Sequence, residues 1–143
     1  MKKSPSLVGT KHSMPKFALS KVKTINAKQA VHELEIDGVK VLDAFENQLT
    51  GTSFQSEYKT LLTYIEYAAN NGSLPATKFK DITPKGEVVK EYEFKSKHLR
   101  IYAIKASNGK IIVLCGLKNN QKSDITSFRS IKKQFCNAIK VGK

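Results

Sequence analysis

The chain has 143 residues, with 25 Lys and Arg against 12 Asp and Glu, a formal net charge of +13 and a pI near 9.8. Domains usually hold roughly 100 to 200 residues, so the length fits one domain, and 40% hydrophobic residues with four Pro and eight Gly exclude a disordered or collagen-like chain. The longest apolar run, Ile111 to Cys115, falls far short of the roughly 18 residues of a membrane helix, and Ser4-Pro5-Ser6 stands where a signal peptide would place its apolar core, so neither is expected.

The charge is segregated along the chain. Residues 1–30 hold seven Lys and no acid, residues 31–77 two Lys against seven acids, and residues 78–143 sixteen Lys and Arg against five acids. Such a distribution creates a directional field that attracts phosphate backbones or acidic protein segments. Residues 1–30 contain Pro5, Gly9 and Pro15 and sustain no period of 3.6 or 2, which predicts a basic, extended or partly disordered arm ahead of a domain over 31–143.

Leu34 and Ile36, alternating with Glu33, Glu35 and Asp37, predict a half-buried strand that ends at Asp37-Gly38. Val41, Leu42, Phe45 and Leu49 then recur at helical spacing up to Thr50-Gly51. A longer helix follows, capped by Thr52 or Ser53, with Phe54, Tyr58, Leu61, Leu62, Ile65, Ala68 and Ala69 on one face, and Asn70-Asn71-Gly72 ends it. After Pro84-Lys85-Gly86, the even spacing of Val88, Tyr92 and Phe94 predicts a strand, and Leu99 to Ile104 predicts the next. Ser107-Asn108-Gly109 carries a hairpin signal, and Ile111 to Cys115 reads as the central strand. Beyond a polar loop over 118–122, Ser123 or Asp124 caps a final helix with Ile125, Phe128, Phe135 and Ile139 on its inner face. The order β-α-α-β-β-β-α describes an α+β domain with a mainly antiparallel sheet, two helices packed on it and a C-terminal helix.

Several chemistries lack their residues. His12, His32 and His98 are far apart, and Cys115 and Cys136 form no CxxC, so no metal site is expected and the cysteines read as reduced structural thiols of a cytoplasmic protein. The sequence has no GxSxG, GxGxxG or GxxxxGK[ST], and no cofactor is expected. Glu33, Glu35 and Glu66 read as solvent faces. What remains is a cationic cluster at the ends of the meander: Lys95, Lys97, His98 and Arg100 on one side, Lys118, Gln121 and Lys122 on the other. Arg100 interrupts an apolar strand, so its guanidinium either reaches a surface groove or pairs with an acid such as Glu91 or Glu93. Tyr102 shares its face and either stacks on a base or packs in the core.

The hairpin register decides whether the cluster is one site. A two-residue Asn108-Gly109 turn would set Arg100 opposite Leu117 and put Lys118 on the other face. A three-residue Ser107-Asn108-Gly109 loop pairs Ala106 with Lys110 and brings Arg100 and Lys118 to one face, so that loop, or a bulge or strand exit before Lys118, is expected.

The stretches Lys90 to Tyr102, Gly109 to Leu114, Lys118, Gln121 to Ile125 and Phe128-Arg129 resemble the RelE/ParE toxin superfamily, in particular the HigB-like branch of bacterial type II toxin–antitoxin systems. The resemblance covers about residues 32–139 and includes the element order; it implies a RelE-like fold and a ribosome-dependent endoribonuclease that cuts mRNA in the ribosomal A site. It implies a cognate antitoxin laid over the basic groove as the protein partner, and no membrane association. Carried over by position, Arg100 holds the scissile phosphate and Lys118 and Lys122 are the basic positions after the last strand. The paired lysines often found there are Asn119 and Asn120, and the threonine–proline helix start is Ser123-Asp124. Attack of a ribose 2′-OH on its phosphate needs proton transfer and charge stabilisation, so the catalytic candidates are Arg100, Lys118, Lys122 and His98. Lys95, Lys97, Tyr102 and Gln121 are the RNA-binding candidates. The alternative is a ParE-like gyrase-binding or catalytically inactive toxin-fold module that acts by protein or nucleic-acid binding.

Overall fold

The computed structural model describes residues 14–141, with side chains as far as residue 139. In chain order it runs β1 (Phe17–Lys21), β2 (Ala30–Ile36), β3 (Val39–Lys40), α1 (Val41–Leu49), α2 (Gln55–Ala69), β4 (Phe79–Asp81), β5 (Glu91–Lys95), β6 (Leu99–Ala106), β7 (Gly109–Leu117), a 3-10 turn (Lys118–Asn120) and α3 (Gln121–Val141). The strands lie in the order β1-β2-β7-β6-β5-β4, with the short β3 folded back on β2. All pairings are antiparallel except β2 with β7, which is parallel from Ala30↔Gly109 to Glu33↔Ile112. The architecture is α+β with a mostly antiparallel mixed sheet and three helices, and the apolar run Ile111 to Cys115 lies in a central strand as expected.

Both faces of the sheet are covered. Leu99, Ile101 and Ala103 of β6 and Ile112 of β7 pack with Leu42 and Phe45 of α1 and Leu61 and Ile65 of α2. Tyr102 and Ile104 of β6 and Ile111 and Val113 of β7 point the other way, onto Phe128 and Phe135 of α3. Two-sided burial explains why β6 and β7 read as nearly continuous apolar runs rather than as alternating ones. Cys115 packs with the first cluster and Cys136 with the second, on opposite faces of the sheet.

The boundary expected after residue 30 is corrected. Phe17 to Lys21 pair with β2 over Ile36 to His32, and Val22 and Ile25 are buried. The linker is stitched to the end of α2: the Asn26 amide donates to Glu66 Oε2 (2.8 Å), Lys28 to Asn70 Oδ1 (2.9 Å) and Gln29 to the Ala69 carbonyl (3.0 Å). The strand is hidden in the sequence because β1 is an edge: Leu19 is exposed and Phe17 is the residue that reaches the core, edge-on to Phe135 at 5.7 Å. The part of the expected arm over residues 1–13 lies outside the described residues.

The acidic stretch is also less solvated than expected. Glu33 is buried, and its Oε1 accepts from the Leu42 amide at 3.0 Å, so a carboxylate from β2 caps α1, whose own N-cap residue, Lys40, offers no side-chain acceptor. Burial raises the Glu33 pKa, and the Leu42 amide works against that rise. Glu35 accepts from the Ser20 hydroxyl. Val88 and Ile139, expected in a strand and on an inner helix face, are both exposed, and α3 begins at Gln121, ahead of the expected caps.

The hairpin reaches the required register by the bulge, not by the loop. Ser107 and Asn108 alone form the turn, so Ala106 pairs with Gly109 and Lys105 with Lys110. Val113 is then an extra residue between Ala103↔Ile112 and Tyr102↔Leu114, which sets Arg100 opposite Gly116. Gly109 is unavailable to the turn because β2 needs it: a Cβ there would lie 1.7 Å from the Ala30 carbonyl oxygen.

Candidate functional site

At the end of the hairpin away from that turn, Ser96 to His98 link β5 to β6, and the first turn of α2 supplies Glu57 to organise the link. The carboxylate accepts from the Ser96 hydroxyl, from the amides of His98 (2.6 Å) and Leu99 (3.1 Å), and lies 2.9 Å from His98 Nδ1. Partial burial pushes the Glu57 pKa up, but the hydrogen bonds from Ser96 and His98 outweigh it and hold the carboxyl below the usual range. The helix N-terminus adds favourable positive potential. The acceptor at Nδ1 makes that nitrogen the donor, so the proton of neutral His98 sits on Nδ1 and Nε2 is the basic nitrogen. The ring rests on Phe54, with centroids 5.0 Å apart, and 47% of the side chain remains exposed.

Lys118 meets this link through the backbone: its amide donates to the His98 carbonyl at 2.8 Å, just where β7 turns into the 3-10 turn. Lys97, Lys118 and Lys122 are exposed, and Lys95, partly buried, is the ladder partner of Arg100. His98, Lys97 and Lys118 therefore share one end of the sheet.

The other candidates are placed differently. Of the two options for Arg100, the ion pair is the one formed: the residue is buried, its Nε lies 3.9 Å from Glu93 Oε2, and its Nη1 donates to the carbonyls of Ser96 (2.6 Å) and Leu99 (2.8 Å). Gln121, expected at RNA, donates its side-chain amide to the same Glu93 carboxylate. Tyr102 is fully buried and stacks on Phe128, with centroids 5.5 Å apart, so it packs and has no face for a base. Its hydroxyl finds no partner among the described residues, and burial pushes its pKa up. Asp124, whose Oδ2 also lacks a partner among the described residues, lies against Gly116, where a Cβ would come within 2.0 Å of that oxygen. Burial raises the Asp124 pKa.

Tyr102→Phe separates packing from recognition. Removing a buried, unpartnered hydroxyl should leave stability unchanged or raise it by about 1 kcal/mol in urea unfolding, since leaving such a group unsatisfied costs about 1–3 kcal/mol. A loss above 1 kcal/mol would show that the hydroxyl has a partner that these contacts do not include.

Sequence reasoning missed Glu57 and Ser96, which hold His98. An acid in the first turn of a helix is an ordinary end-charge signal, and no spacing links it to a histidine 41 positions away. Among the described residues no helix is long and apolar enough to cross a membrane, and no group of three His, Cys, Asp or Glu is placed to hold a metal ion. No family model, no curated protein and no solved structure matches the chain.

Proposed function

We propose that the chain is a RelE/HigB-like toxin with a RelE-like fold, an endoribonuclease that cuts mRNA on the ribosome and is neutralised by a cognate antitoxin. The observation that carries the reading is the Glu57–His98 pair: a histidine oriented by a carboxylate, half exposed, with Lys97 and Lys118 beside it. In the reaction, His98 Nε2 takes the proton of the 2′-OH as that oxygen attacks the adjacent phosphorus. The bond to the 5′-oxygen then breaks, and the departing oxygen receives a proton, leaving a 2′,3′-cyclic phosphate and a 5′-hydroxyl. Lys118 and Lys122 stabilise the charge that builds on the phosphorane. Arg100 acts as a positioning residue: by gripping the carbonyls of Ser96 and Leu99 it fixes the link that carries His98.

Expression of the chain should arrest growth, and the purified protein added to translating ribosomes should cut mRNA. His98→Ala should lower the cleavage rate about 10²- to 10⁴-fold, the range for a lost acid–base group. Cleavage at the wild-type rate by this variant overturns the assignment. Growth arrest with intact mRNA would favour a gyrase-binding or inactive toxin-fold module, a reading supported by the commitment of Arg100 to Glu93.

A further inference from the structure

Among the described residues two lysines are buried, and they are treated oppositely. Lys132 is held by Glu91 Oε2 (2.8 Å), Glu87 Oε1 (3.0 Å) and the Val89 carbonyl (2.8 Å), a complete counter-charge. Lys110, 8% exposed, has no carboxylate in ion-pair range among the described residues. Its Nζ donates to Gln29 Oε1 at 3.3 Å and lies 5.4 and 5.7 Å from the ring centroids of Tyr92 and Phe79. The Gln29 amide is itself fixed, because its Nε2 donates to Asn71 Oδ1 at 2.9 Å. One amide oxygen and two ring faces compensate an ammonium only in part.

The ammonium borders a cleft of about 290 Å³ lined by Gln29, Tyr92, Lys105, Ser107, Asn108 and Lys110 with the neighbouring backbone, and none of its lining residues is acidic. Lys105 is the ladder partner of Lys110 and exposed, so two positive charges converge on one concave surface. Burial, and then the charge of Lys105, hold the Lys110 pKa below its usual value, in keeping with the absence of a carboxylate in range among the described residues. Lys105 is six residues along β6 from Leu99, the neighbour of His98, about 20 Å at the rise of a strand, so this cleft is distinct from the end that carries Glu57 and His98.

We propose that the cleft between Lys105 and Lys110 binds a phosphate dianion, free or as a monoester. A dianion with several acceptor oxygens matches two ammonium groups together with the neutral donors of Ser107 and Asn108, whereas a single carboxylate would leave one lysine uncompensated. Inorganic phosphate and the 5′-phosphate of a mononucleotide share this chemistry. Binding favours the charged lysine, so it raises the Lys110 pKa, and affinity falls as pH rises through the Lys110 titration.

The test is NMR of the full chain labelled at lysine Cε, titrated with sodium phosphate against sodium chloride at matched ionic strength, and in a second arm with uridine 5′-monophosphate. Phosphate, but not chloride, should move the Lys110 titration midpoint upward. Lys110→Met should weaken binding at least tenfold, Lys105→Ala severalfold, and His98→Ala should leave it unchanged, which keeps this result separate from the ribonuclease reading. Tighter binding of the nucleotide identifies a nucleotide as the source, and tighter binding of phosphate identifies the free anion. If Lys110→Met fails to fold, Lys105→Ala at an exposed position decides. No phosphate-specific shift of Lys110, or wild-type binding by Lys105→Ala, overturns the proposal.

Discussion

Glu91→Ala is expected to destabilise the protein by about 3–5 kcal/mol, the cost of breaking a buried ion pair from one side. Glu91 is 1% exposed at the start of β5, and its two oxygens are divided: Oε1 accepts from Arg129 Nε at 2.9 Å and Oε2 from Lys132 Nζ at 2.8 Å. With the carboxylate gone, the buried Lys132 ammonium keeps only Glu87, whose side chain is 53% exposed, and one carbonyl. The double variant Glu91→Leu/Lys132→Met should recover most of the loss, because apolar replacement of a whole buried pair is often neutral or stabilising. Urea unfolding of the two variants checks this, and a loss below 1 kcal/mol for Glu91→Ala would mean that the pair contributes little. The pair also ties α3 to an outer strand, so Glu91→Ala should loosen α3 first, visible as faster amide exchange around Arg129.

Gly109→Ala should cost about 3 kcal/mol or more, at the upper end of overpacking effects. The added Cβ would lie 1.7 Å from the Ala30 oxygen and 2.7 and 2.8 Å from the Ala30 carbonyl carbon and nitrogen. These are backbone atoms in a paired strand, and the Ala30 amide already donates to the Asn108 carbonyl at 2.8 Å, so β2 can yield only by leaving β7. Gly38→Ala is the control: nothing lies within 4 Å of its Cβ, and its φ of +84° predicts a smaller penalty of about 1–2 kcal/mol. Thermal unfolding ranks the two, and a Gly109→Ala melting temperature at or above that of Gly38→Ala contradicts the close approach.

The parts of the fold legible in the sequence are those in which one helix face or one strand carries its own signal. The stripe from Tyr58 to Ala69 and the run Ile111 to Cys115 identify α2 and β7 because local periodicity and burial coincide. The strand β1 is lost because an edge strand with one core contact has no period, and Glu33 misleads because its polar head is buried as the cap of another element. At the candidate site, the interruption of an apolar strand by Arg100 correctly demands a partner. The choice of Glu93 over a ligand depends on α3, since Gln121 and Asp124 close over that face. The relation of Glu57 to His98 joins two elements with no shared local pattern, and only the packing of α2 on the sheet creates it.

The parallel seam of β2 and β7 also bears on how the molecule is made. Gln29 and Lys110, bonded beside that seam, are 81 positions apart, so during synthesis the first hairpin and both early helices precede the strand that completes their sheet. Until then β2 presents an unpaired inner edge. Folding should therefore wait on a late, long-range closure and be slow for a chain of this length. A break introduced between α2 and β4 should leave two fragments with complementary edges, able to reassociate in solution through that seam and the packing of α1 and α2 on the sheet of the second fragment.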